Sequence, residues 1–213
     1  MRLTLDNPVL DYMNTAVQFI ALNLVYLICC LPVITIGPAT AALYQVTLRE
    51  ARQEHGYLIR KFFQHMKEMF VPGILVFFLF AALLSASVYA LVFWFVLGTP
   101  AGTAAFAVTL LLAAVIFCAM IYVFPLMARF QNSVFQTVKN AFLFALSNLL
   151  YSFALILIQL LIVSLLYLFP AMKIFMIAIG FSFTAYCNSL IFTRLFRPYE
   201  KEGRETQKCK TVS

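Results

Sequence analysis

The stretch VPGILVFFLFAALLSASVYALVFWFVL, residues 71–97, carries no charged side chain and is apolar all round the helical wheel rather than along one face. As a helix it would rise about 40 Å, more than the roughly 30 Å of a bilayer's hydrocarbon core. Four more uncharged apolar runs flank it, at Thr15 to Leu31, Ala104 to Met127, Phe142 to Phe169 and Ile174 to Phe192. With 64% hydrophobic and 11% charged residues and a mean hydropathy of +0.96, the chain needs lipid as its solvent. The expected fold is all-α: a polytopic membrane bundle of about five transmembrane helices, residues 1–213 forming one integral membrane domain that ends in a basic tail, 199–213. The second and fourth runs exceed the span a bilayer requires, which predicts tilting or extension into the interface.

Thirteen of the fifteen Lys and Arg residues fall on one side when the spans alternate from an outer N-terminus; only Arg2 and Lys173 fall on the other. This asymmetry predicts a cytoplasmic C-terminus. The uncharged stretch from Tyr12 to Leu48 is long for one crossing and short for two, so a re-entrant turn or a pair of short helices also fits. The N-terminus would then be inside, with six membrane segments. Pro32 is expected to end the first helix, Gly37 to permit a tight turn and Pro38 to open the next helix. Thr35 and Thr40 are placed to satisfy backbone groups freed at that break.

Two segments lead into long spans and read as amphipathic helices on the cytoplasmic face. The first sets Ile59, Phe62, Phe63, Met66, Met69 and Phe70 against Arg60, Lys61, Gln64, Lys67 and Glu68. The second sets Phe130, Val134, Phe135, Val138 and Phe142 against Gln131, Asn132, Ser133, Gln136, Thr137, Lys139 and Asn140. With a single Lys, the second polar face is better suited to a protein surface than to anionic lipid. Gln131, Asn132, Ser133, Gln136, Lys139 and Asn140, with Phe62 and Phe63, are therefore candidate partner-docking residues. The order of amphipathic segment, long span, outer turn and returning span occurs twice, which is the pattern of a parallel duplication.

Neutral polar residues form stripes inside the spans: Asn148, Ser152 and Gln159 in the fourth, and Ser182, Tyr186, Ser189 and Thr193 in the fifth. Interhelical hydrogen bonding is the expected role, and lining for a neutral solute the alternative. No catalytic, cofactor or metal set is recognised. The two histidines, His55 and His65, lie in the charged segment, and His65 with Glu68 reads as a solvated helix pair rather than a zinc site. Ion-coupled carriage would place ionisable side chains in the spans, and the five runs have none. Gly-Lys-Ser and Gly-Lys-Thr are absent, so any ATP dependence belongs to a partner. Basic residues beside spans are topology signals, and no nucleic-acid partner is expected.

The run Leu31-Pro32-Val33-Ile34-Thr35-Ile36-Gly37-Pro38-Ala39, its spacing to Phe62-Phe63, and the later segment from Arg129 to Phe142 resemble the signature of the YesL-like family of bacterial membrane proteins. An acidic residue common in that family near the position of Gln131 is missing here. The resemblance implies a bacterial cytoplasmic membrane protein encoded beside carbohydrate ABC importers and glycan-degrading enzymes. It also implies an accessory or permease-like subunit whose expected partners are the lipid bilayer, importer permease and ATPase subunits, and a carbohydrate. An autonomous channel or facilitator, and a membrane scaffold or regulator, are the alternatives.

Overall fold

A computed structural model describes residues 8–52, 57–130 and 132–212, with side chains from Thr15 to Phe196 among them. In chain order the elements are α1 (Pro8–Cys30), a 3₁₀ turn (Val33–Thr35), α2 (Ile36–Glu50), α3 (Leu58–Glu68), α4 (Phe70–Leu97), α5 (Pro100–Arg129), α6 (Val134–Ser147), α7 (Leu149–Leu168) and α8 (Ala171–Phe175). A π-helical turn, Met176–Gly180, joins α8 to α9 (Phe181–Val212). Among the described residues four helical stretches are long and apolar enough to cross a membrane: α4, α5, α7 and Ala171–Phe196. The chain is an all-helical multi-pass membrane protein. Large apolar side chains on these helices, such as Leu111 and Leu150, face outward, as lipid allows.

Local chemistry sets the ends. At the turn between α4 and α5, Gly98 takes φ 60°, Thr99 accepts the Gly102 N–H at 3.1 Å, and Pro100 occupies the first turn of α5. The apolar run Phe142 to Phe169 is two helices rather than one tilted span, because Asn148 leaves helical geometry at φ −121°, ψ 55° and turns its amide onto the Phe144 carbonyl at 3.4 Å. Ser133 opens α6 as its N-cap, accepting the Gln136 N–H at 3.4 Å.

The stretch from Tyr12 to Leu48, ambiguous by length, is a helical hairpin. Pairing along it gives its direction: Phe19 meets Tyr186 edge-on, Asn23 bonds Ser182, and Tyr26 approaches Phe181. Thus α1 runs antiparallel to α9, and α2 returns beside α9 through Tyr44 to Asn188 and Thr47 to Ser189. Gly37 packs on Gly73, in the first turn of α4, so the tip reaches only part of that helix's depth. Both arms therefore open toward the end of the bundle that carries Arg49, Arg52, Lys67 and Arg129, here termed the charged end. The stretch is thus a pair of helices rather than one continuous helix.

Leu31, Val33 and Ile34 at the tip are exposed, so its backbone groups need internal partners. Thr35 Oγ1 donates to the carbonyls of Cys29 and Pro32, and Thr40 Oγ1 donates to Ile36 at 2.7 Å. Gly37 itself lies within α2 and has no left-handed φ, so the turn expected there is replaced by a close helix contact. Pro38 is the third residue of α2, not its first. Around the hairpin, Phe19, Leu22, Ala42, Val46, Phe62 and Ala185 form one core cluster. A second unites α4, α5, α6 and α9 through Phe80, Tyr122, Leu126, Ala141, Phe192 and Phe196.

Candidate functional site

The polar side chains of the interior are used in pairs. Asn23, fully buried, donates from Nδ2 to the carbonyls of Ile177 (2.7 Å) and Met176 (3.2 Å), while its Oδ1 accepts the Ser182 N–H at 2.9 Å. One amide from α1 thereby bonds three backbone groups at and beside the π turn. Thr47 and Ser189 hydroxyls pair at 2.9 Å, and Asn188 Nδ2 donates to the Tyr44 hydroxyl at 3.2 Å. Ser152 Oγ donates to the Tyr122 hydroxyl at 3.1 Å and also lies 3.1 Å from the Ala145 carbonyl.

Ser152, Ser182 and Ser189 of the expected stripes are thus buried, whereas Tyr186 and Gln159 are half-buried. The use of Ser182 differs from a stripe contact: its backbone bonds Asn23, and its hydroxyl is buried without a partner. Asn23, Asn188, Tyr44, Thr47 and Tyr122 do not stand out in the sequence. The signal available for the two asparagines is an amide in an otherwise apolar run.

At the charged end a cleft of about 240 Å³ opens between the C-terminal turns of α2 and α5 and the end of α3. Gln45, Arg49, Arg52, Glu68, Arg129 and Phe130 are among its lining residues. A more apolar hollow of about 360 Å³, bounded by Pro72, Val134 and Thr137, shares Glu68, Met69, Met127 and Phe130 with it. The two hollows are neighbours, the first lined mainly by polar and charged side chains and the second more apolar. Glu68 accepts from His65 Nδ1 at 3.0 Å and from Gln64 Nε2 at 3.2 Å. Those bonds, His65 first, hold its carboxyl below the usual carboxylate range. The depressed value makes its stabilising contribution complete above the ordinary carboxyl range and lost only as pH falls through the lower folded value. His65 is buried, with Nε2 unpartnered, while Glu68 is exposed, so only the carboxylate of the expected pair is solvated.

The docking residues divide. Asn132, Ser133, Gln136 and Lys139 are exposed around the start of α6, Asn140 is half-buried, and Gln131 lies outside the described residues. Phe63 is exposed, but Phe62 is fully buried and closes the core under the hairpin, so it belongs to no docking surface. Its spacing with Leu58 puts both on the inner face of α3. Within α6 the expected faces shift likewise: Thr137 is buried against the bundle, while Phe135 is 81% exposed.

Among the described residues no group of three or more His, Cys, Asp or Glu side chains is placed to hold a metal ion. Cys29, Cys30, Cys118 and Cys187 are free thiols; Cys209 lies beyond the described side chains. No curated protein and no solved structure matches the chain. Residues 19–91 match the model of a family described as a protein of unknown function, DUF624; the matched segment takes in the Leu31 to Ala39 run, the second half of α1, α2, α3 and most of α4.

Proposed function

We propose that the chain is a non-enzymatic accessory subunit of a bacterial carbohydrate ABC importer, related to the YesL-like proteins, with its charged end in the cytoplasm. The observation that carries this reading is the exposed polar surface of Asn132, Ser133, Gln136 and Lys139 at the start of α6. The polar groups of the interior, by contrast, largely serve helix-to-helix bonds. That distribution favours a subunit that docks a permease or ATPase over a facilitator, whose solute would need the interior groups Ser152, Asn188 and Ser189. Importer association rests on the resemblance in the Leu31 to Ala39 and Arg129 to Phe142 segments.

The test is co-purification in mild detergent with identification of the captured proteins. Replacing exposed Asn132 and Gln136 together by Lys keeps the segment compatible with a membrane surface and puts unmatched charge into a protein contact. The double variant is expected to insert and purify normally while recovering at least about tenfold less importer, the loss that about 1.4 kcal/mol gives. Recovery at the normal ratio would remove α6 from the interface. Capture of a different membrane complex would favour the scaffold reading.

Orientation has its own measurement. In right-side-out vesicles, with Cys29, Cys30, Cys118 and Cys187 replaced, an impermeant thiol reagent is expected to label Cys209 only after permeabilisation. Labelling of intact vesicles would reverse the topology and move α6 to the outer face.

A further inference from the structure

We propose that α7 pairs in parallel with α7 of a second copy of this chain, Gln159 of each copy hydrogen-bonding Ser164 of the other. Within α7 only Ser152 and Leu155 are buried, both in its first half, so the rest of the span stands at the edge of the bundle. Gln159 is half-buried near the middle of this twenty-residue helix, and Ser164 is exposed. Among the described residues neither side chain has a hydrogen-bond partner. Ser85, Ser87 and Thr109, on α4 and α5, instead return their hydroxyls to carbonyls of their own helix. At this depth water cannot serve the Gln159 amide, and hydrocarbon offers it nothing.

Leu149, Phe153, Ile156, Leu160, Val163 and Tyr167 recur at alternating steps of four and three, the a and d spacing of helices that pack as a left-handed pair. The stripe lies roughly a third of a turn round α7 from the line of Leu155 and Ile162 that faces the bundle. Apart from half-buried Ile156, all of it is exposed. In this register Gln159 takes a g position and Ser164 the e position of the next heptad, on opposite flanks of the stripe. Those are the positions that meet across a parallel pair. Two-fold symmetry then makes the Gln159 to Ser164 contact twice.

An apolar stripe alone is satisfied by lipid; the two polar groups are what select a copy of this chain. All copies enter the membrane in one orientation, so two α7 helices meet in parallel and at equal depth. The amide brings two donors and an acceptor and the hydroxyl a donor and an acceptor, so the pair needs no group from another protein. The pairing is independent of importer association.

Cross-linking in native membranes tests the register. With the five native cysteines replaced, single cysteines are introduced as Leu160→Cys, Val163→Cys and Leu161→Cys and oxidised with copper phenanthroline. The first two, on the stripe, are expected to give a disulfide-linked dimer. Leu161→Cys, equally exposed and at the same depth but turned away, is expected to stay monomeric. Energy transfer between copies tagged at the C-terminus, followed as lipid dilutes the protein, measures the dissociation midpoint. In Gln159→Leu/Ser164→Ala that midpoint is expected to rise roughly 30-fold, about 2 kcal/mol over two contacts. Neither side chain bonds within its own copy, so the melting temperature of the dispersed double variant is expected to hold; a fall would put the pair to use inside the bundle and overturn the assignment. Equal dimer from Leu160→Cys and Leu161→Cys, no dimer from either stripe position, an unchanged midpoint in the double variant, or cross-linking of Leu160→Cys to a different protein in place of a second copy also overturns it.

Discussion

Gly37→Ala is expected to cost about 3 kcal/mol or more, the largest effect expected of any single added carbon in this chain, and Gly37→Val to leave little monodisperse protein. A Cβ on Gly37 would overlap the Gly73 carbonyl oxygen and stand 2.8 Å from both the Gly73 carbonyl carbon and the Phe77 Cβ. Reciprocally, a Cβ on Gly73 would lie 2.7 Å from Pro38 N and Cα. Both sides of the contact are main chain or root atoms, so no rotamer change relieves it; α2 has to leave α4. Since α2 also packs on α3, α5 and α9, the strain spreads through the bundle. Thermal unfolding in detergent measures the loss. Gly98→Ala, strained by its positive φ alone, sets the scale at about 1 to 2 kcal/mol. Gly37→Asn separates the two accounts of this glycine: a tight left-handed turn tolerates Asn, whereas a close helix contact rejects it as it rejects Ala. Wild-type stability of Gly37→Ala would mean that the hairpin does not pack main chain to main chain on α4.

The membrane class and the all-helical bundle were legible because hydropathy integrates over twenty or more residues and needs no knowledge of partners. Pro32 and Thr35 were readable for a similar reason, since a missing N–H and a short hydroxyl act within their own turn. Gly37 was recognised as special but for the wrong cause, because a glycine at a turn and one at a helix contact look alike until Gly73 is beside it. The break at Asn148 was invisible in a continuous apolar run: hydropathy says nothing about one residue leaving helical geometry. Phe62 was assigned to a surface because helical spacing defines a face without saying what covers it. The charged-end cleft was not legible for the same kind of reason, as its walls are separated in sequence between Gln45 and Phe130 and meet only when three helix ends converge.

Asn23→Leu is expected to destabilise the protein by about 3 kcal/mol although it preserves shape and adds apolar character to a membrane segment. A hydropathy argument gives the opposite sign. The difference lies in the π turn, where Met176 and Ile177 offer carbonyls and Ser182 an N–H to the Asn23 amide. Leu removes all three bonds where water cannot replace the partner, at roughly 1 kcal/mol each. Ser182→Ala provides the control, because Ser182 uses its backbone N–H and its buried hydroxyl has no partner; that variant is expected to match the unmodified protein or exceed it slightly. Asn23→Asp adds a pH signature. As a carboxylate it faces two carbonyl oxygens in a dry site and is costly; protonated, it donates to one of them and still accepts from Ser182. Its folded-state affinity for the proton exceeds that of the unfolded chain, so stability rises as pH falls, a direction absent from Asn23→Leu. Thermal unfolding of the three variants across pH decides the matter. If Asn23→Leu melts with the unmodified protein, the π turn closes its own backbone bonds and α1 is held to α9 by packing alone.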